Sequence, residues 1–132
     1  MSANGPNHEA FQLKATEVEG AVPRDWREVL TAMANAVAGG DLSRLSLDAR
    51  VATASHELEE HIRESIESYG ATLTELPEET WHTSVCSWQG GHWSVLVDLW
   101  TIEEGCSDLV MQVRVTENED RFLFALCLVY VP

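Results

Sequence analysis

The chain has 132 residues, 45% of them hydrophobic, and eight Lys and Arg against 22 Asp and Glu give it a formal charge of −14. That length fits one domain built on a single core. The acidic balance argues against a nucleic-acid partner, because phosphate contacts need clustered cations. The longest apolar runs, about ten residues, fall far short of the roughly 20 that a membrane helix needs.

Met1-Ser2-Ala3-Asn4-Gly5-Pro6-Asn7-His8 has no basic stretch followed by an apolar core, so a soluble, cytoplasmic protein is expected, with no membrane partner. Cys86, Cys106 and Cys127 are three in number and lack CxxC spacing, which points to free thiols in a reducing compartment. An acidic surface steers basic partners toward it and also serves solubility.

Residues 1–23 mix Gly, Pro, Asn and Glu with scattered apolar positions and are expected to form a flexible N-terminal arm ahead of a single α+β domain over 24–132. From Asp25, a candidate cap, the positions Trp26, Val29, Leu30, Met33, Ala34 and Val37 recur at one-face helical spacing, and Gly39-Gly40 supplies a stop. Asp41 can cap a short turn through Leu42 and Leu45. Ser55 then reads as the cap of a second amphipathic helix over about 56–69, with Leu58, Ile62, Ile66 and Tyr69 as its stripe and Gly70 as its end. Residues 71–76 alternate weakly before Pro77 and allow a short edge strand.

Four strands follow: Thr80 to Trp88, Trp93 to Thr101, Ser107 to Thr116 and Arg121 to Val131. Connections as short as Gly90-Gly91 leave only antiparallel neighbours. With Thr101 facing Ser107 and Thr116 facing Arg121, Trp93, Val95, Val97 and Leu99 each meet apolar residues across both ladders, which defines a core face. The first hairpin stays open. A two-residue Gly-Gly turn puts Cys86 and Trp88 on the core face, whereas a three-residue loop puts Trp81 and Val85 there. The expected fold is therefore α+β, two helices on one face of a four-stranded antiparallel meander, with 71–76 as a possible fifth strand.

In that register the opposite face carries Leu96, Asp98 and Trp100, then Asp108, Val110 and Arg114, then Leu123 and Val129. These eight are the candidate interface residues, because so much apolar surface is expected to be covered by the arm, a second copy or another protein. Trp100 and either Trp81 or Trp88 are expected on this outer face, where tryptophan typically anchors contacts.

The case for catalysis is thinner. His56 and His61 flank a Glu-rich stretch, but a zinc-binding helix needs histidines four apart and these are five apart, about 140° around the helix. His82 and Cys86 lie roughly 13 Å apart on a strand, too far for one ion. Asp98, mid-strand among apolar residues, lies diagonal to Asp108, and two such carboxylates can divide acid and base roles in a Trp-lined pocket. The competing reading makes Asp98 a hydrogen-bonded structural acid and Asp108 a loop cap. No phosphate loop, dinucleotide fingerprint or nucleophile elbow is present, so no cofactor, metal or catalytic residue is assigned.

From Ile62 onward, Tyr69-Gly70, Leu76-Pro77, Trp81, the run Trp93-Ser94-Val95-Leu96-Val97-Asp98-Leu99-Trp100-Thr101, Gly105-Cys106-Ser107-Asp108-Leu109 and Val129-Tyr130-Val131-Pro132 resemble a family of small, mostly actinobacterial proteins assigned to a domain of unknown function. That resemblance implies no activity and no catalytic residue. In composition the chain also looks like the immunity proteins that neutralise bacterial toxins. The functional expectation is a protein-interaction module, immunity-type, binding a basic partner through an apolar sheet face with an acidic rim, or pairing with itself as a homodimer. The alternative is a small-molecule-binding protein or enzyme using Asp98 and Asp108.

Overall fold

The computed structural model describes residues 7–132. Helix α1 (His8–Thr16) and a two-residue strand β1 (Gly20–Ala21) precede α2 (Arg24–Ala38) and α3 (His56–Tyr69), and strands β2 (Val85–Trp88), β3 (Trp93–Thr101), β4 (Gly105–Asn118) and β5 (Arg121–Tyr130) complete an α+β fold. The sheet is antiparallel with strand order β1-β2-β3-β4-β5. Of the expected N-terminal arm, residues 1–6 lie outside the described residues, while residues 8–16 are helical and Gly20 pairs with Cys86 as the fifth strand. Residues 71–76 form no strand; Leu73 makes an isolated bridge to Thr101.

The helices form where side-chain spacing and caps agree. On α2, Trp26, Val29, Leu30, Met33 and Val37 are buried along one stripe. Pro23 takes the cap position expected of Asp25, whose carboxylate, inside the first turn, accepts the Asn7 N–H at 2.6 Å. Ser55 caps α3 by accepting the Leu58 N–H at 3.1 Å, and Gly70, with φ of 81°, ends the helix in the left-handed conformation that only glycine takes without strain. Asp41 caps a 3-10 turn, Leu42–Leu47, by accepting the Ser43 N–H.

Both α2 and α3 feed the core cluster on one side of the sheet, and α1 joins them there. Trp93 is fully buried at its centre, edge-to-face with Trp26 at 5.5 Å, and its indole N–H reaches the Ala10 carbonyl at 3.0 Å. Lys14 lies over the Trp88 ring at 4.9 Å and pairs with Glu117 at 3.7 Å, which ties α1 to the end of the sheet.

The first hairpin turns at Gly90-Gly91, with Gln89 N–H donating to His92 C=O, so Cys86 and Trp88 face the core. Strand β2 is shorter than expected because residues 78–82 coil into a 3-10 turn after Pro77. Trp81 consequently leaves the strand and packs into the core cluster under the Arg27 guanidinium. The expectation that Trp81 or Trp88 occupies the outer face is thereby corrected, since both pack against the core.

Past β2, the edge of β3 is completed in pieces. The Ser84 hydroxyl accepts the Asp98 N–H and the Thr80 hydroxyl donates to the Asp98 carbonyl. Further on, Thr74 N–H donates to Trp100 C=O and Ile102 N–H to Thr72 C=O. Three separate segments thus satisfy one edge of the central strand.

Two irregularities reset the later ladders. Ser107, Asp108 and Leu109 stand opposite Leu99 alone, a bulge plugged by the Ser107 hydroxyl, which donates to the Leu99 carbonyl at 2.7 Å. The β4–β5 turn is Glu119-Asp120, both at positive φ, so Asn118 rather than Thr116 faces Arg121. That two-residue shift keeps every face. A second bulge at Cys127 does not, because Val113 pairs with Leu126 but Gln112 with Leu128, which turns Leu128 outward and Val129 inward.

Candidate functional site

The outer sheet face is built from alternate residues of four strands, and the ladder fixes its rows. Ser87, Ser94, Arg114 and Ala125 form one row, Val85, Leu96, Gln112 and Leu128 the next, and Asp98, Val110 and Tyr130 the third, with Trp100 beside Cys106 below them. The apolar members of this face are absent from the core cluster, and among the described residues the helices pack on the opposite side. Leu96, Trp100, Leu123, Leu128 and Tyr130 are half-buried by their own neighbours, while Val110 is buried between them.

Six of the eight candidate residues, Leu96, Asp98, Trp100, Val110, Arg114 and Leu123, hold the face positions expected of them. Asp108 sits in the β4 bulge, exposed, its backbone N–H donating to the Tyr69 hydroxyl at 3.1 Å. Val129 is corrected: it has no exposed surface and belongs to the core, because the Cys127 bulge inverts the end of β5. The same bulge brings Leu128 and Tyr130 onto the outer face. Periodicity could not have found them, since a continuous apolar run carries no mark of where a bulge falls.

Asp98 is anchored by the turn beside it, its carboxylate accepting the Thr83 hydroxyl and its backbone held by Ser84 and Thr80. Asp98 and Asp108 share the lower part of the face without bonding to each other. Their charges do reach Cys106: burial first, then these two carboxylates, holds the exposed Cys106 thiol above its ordinary range. The Trp100 indole N–H is buried with no hydrogen-bond partner among the described residues.

The described cavities lie off the centre of this face: an apolar cleft of about 140 Å³ between α2 and α3 is lined by Val37, Leu42, Ile62 and Ile66, and another runs between α3 and the end of β5, where Tyr130 borders Ser65 and Tyr69. Among the described residues no group of three or more His, Cys, Asp or Glu is placed to hold a metal ion, and no helix is long and apolar enough to cross a membrane. The arrangement offers a surface rather than a pocket, with Trp, Tyr and Arg, the residue types that concentrate binding energy, on one face.

No curated protein and no solved structure matches the chain. Residues 34–132, which include all the outer-face residues of β2 to β5, match the family model described as "Domain of unknown function (DUF7668)", and the chain belongs to that family.

Proposed function

We propose that this chain is a protein-interaction module whose working surface is the outer face of its sheet. The observation that carries the reading is the patch of Leu96, Trp100, Val110, Leu128 and Tyr130, which lies outside the core cluster and meets α3 only at its Tyr130 end. Contiguous apolar surface of this kind on a small domain marks a contact site, and a central Trp is its natural anchor.

The formal charge of −14 supports an immunity-type form of this reading, in which a basic protein is steered toward the chain and seats on the patch beside Asp98 and Asp108. The test compares proteins retained from the native host by the immobilised wild-type chain and by a Leu96→Lys chain of equal stability. The expected result is a protein held by wild type and lost with Leu96→Lys. Identical retention by both forms would remove the outer face from the function.

A further inference from the structure

The net charge and the charge of the outer face are different things. Helix α3 alone carries five glutamates, Glu57, Glu59, Glu60, Glu64 and Glu67, and it packs on the other side of the sheet. The outer face holds charges of both signs, and they are sorted by end. Arg114 lies toward the β4–β5 turn, whereas Asp98 and Asp108 lie toward the β3–β4 turn; Arg121, at the turn itself, lines a cleft with Trp26 and Val29 on the helix side.

Resting on the reading that the outer face is the working surface, but taking a second copy in place of the basic protein, we infer that this face pairs with another copy of this chain about a two-fold axis that crosses the strands at the Leu96–Gln112–Leu128 row. A face with opposite charges at its two ends is complementary to itself once one copy is turned end for end, which is the requirement of an isologous dimer. A wholly basic partner would meet Arg114 as a repulsive contact.

The ladder register makes the pairing specific. Asp98 and Ser94 on β3, and Val110 and Arg114 on β4, each lie two residues to either side of the axis row. Rotation about that axis stacks β3 on β3 and β4 on β4 of the other copy with their directions reversed. Val110 then lies under the aliphatic stem of the other copy's Arg114, and Asp98 is one strand away from that guanidinium, about 5 Å sideways, within reach of a long side chain. On β5, Tyr130 of one copy falls over Ala125 of the other, large against small, while Leu96 and Leu128 meet their own counterparts.

Sedimentation equilibrium of the full chain, over a range of protein and salt concentrations, tests this. Wild type is expected at twice 14.7 kDa, dissociating as salt rises. Arg114→Glu, at an exposed position that folding tolerates, should weaken the dimer about tenfold or more by placing like charges together. Mixing Arg114→Glu with Asp98→Lys chains should restore a dimer that neither forms alone; if Asp98→Lys fails to fold, Asp108→Lys replaces it in the mixture. A wild-type chain that is monomeric at every concentration overturns the second copy yet leaves the outer face open to a different protein. A dimer indifferent to both Arg114→Glu and Leu96→Lys overturns the inference and also takes this face away from the proposed function.

Discussion

Val129→Ala against Leu128→Ala measures the inversion of β5 directly. Val129 is fully buried among core residues opposite Met111, whereas Leu128 opposite Gln112 is half-exposed on the outer face. Shortening Val129 removes two carbon groups from the core, about 1.6 kcal/mol of transfer free energy at ~0.8 kcal/mol each. A residual void of roughly 40 Å³ at ~24 cal/mol per Å³ adds about 1 kcal/mol, for a total near 2.5 kcal/mol. With an unfolding entropy of ~2.1 cal/mol/K per residue over 132 residues, this corresponds to a fall in Tm of about 9 °C. Leu128→Ala removes more carbon but from a half-wet site, so about 1 kcal/mol is expected. Urea unfolding followed by the fluorescence of buried Trp26 and Trp93, at protein concentrations low enough to hold the chain monomeric, gives both values. A larger loss for Leu128→Ala than for Val129→Ala would refute the bulge and restore an unbroken register.

A chain reduced to residues 34–132 loses Trp26, Val29, Leu30 and Met33 from the core, so circular dichroism should show no cooperative unfolding. Asp98→Asn keeps an oxygen for the Thr83 hydroxyl and is expected to lower stability by less than about 1 kcal/mol in urea titration. Thiol labelling should proceed slowly at Cys106 and accelerate with pH and in Asp98→Asn, whereas Cys86, pushed up to about 12 by burial, should react only on unfolding. The Thr72 backbone N–H holds the Glu103 carboxyl below its ordinary 4.5, with the Thr72 hydroxyl adding to it. That clamp is fully present above pH 4.5 and is released as pH falls through the lower folded value, which hydrogen exchange at Thr72 should register.

Periodicity was enough for α2 and α3, because a stripe such as Trp26-Val29-Leu30-Met33 survives any error of one residue at the ends. It also placed Trp93 opposite Val115 and Val97 opposite Met111. Helix α1 escaped because its amphipathic pattern is faint: Ala10 alone is buried, and the helix is held by Glu9 on Arg24, Lys14 on Trp88 and Asn7 on Trp26, contacts that have no sequence period. Strand β2 shortened because Thr80 and Ser84 complete the β3 edge with hydroxyls where main-chain pairing was expected. The outer face was legible as far as Ala125, and its end was not, since the inversion depends on a bulge whose position is set by packing rather than by pattern.

The long reach between Trp93 and Ala10, 83 residues along the chain, also orders events during synthesis. The apolar stripe of α2 leaves the ribosome well before the sheet, but Trp26 packs edge-on against Phe124 and tilted against Phe122, at the far end of the sequence. Until β5 has been made, the Trp26 end of that helix lacks its Phe122 and Phe124 partners. The local hairpins from β2 to β5 close quickly once available, whereas α1 and β1 dock across the widest separations. The nascent chain therefore presents an amphipathic, Trp-bearing helix to solvent until the sheet is made, a natural target for chaperones that hold such segments until then.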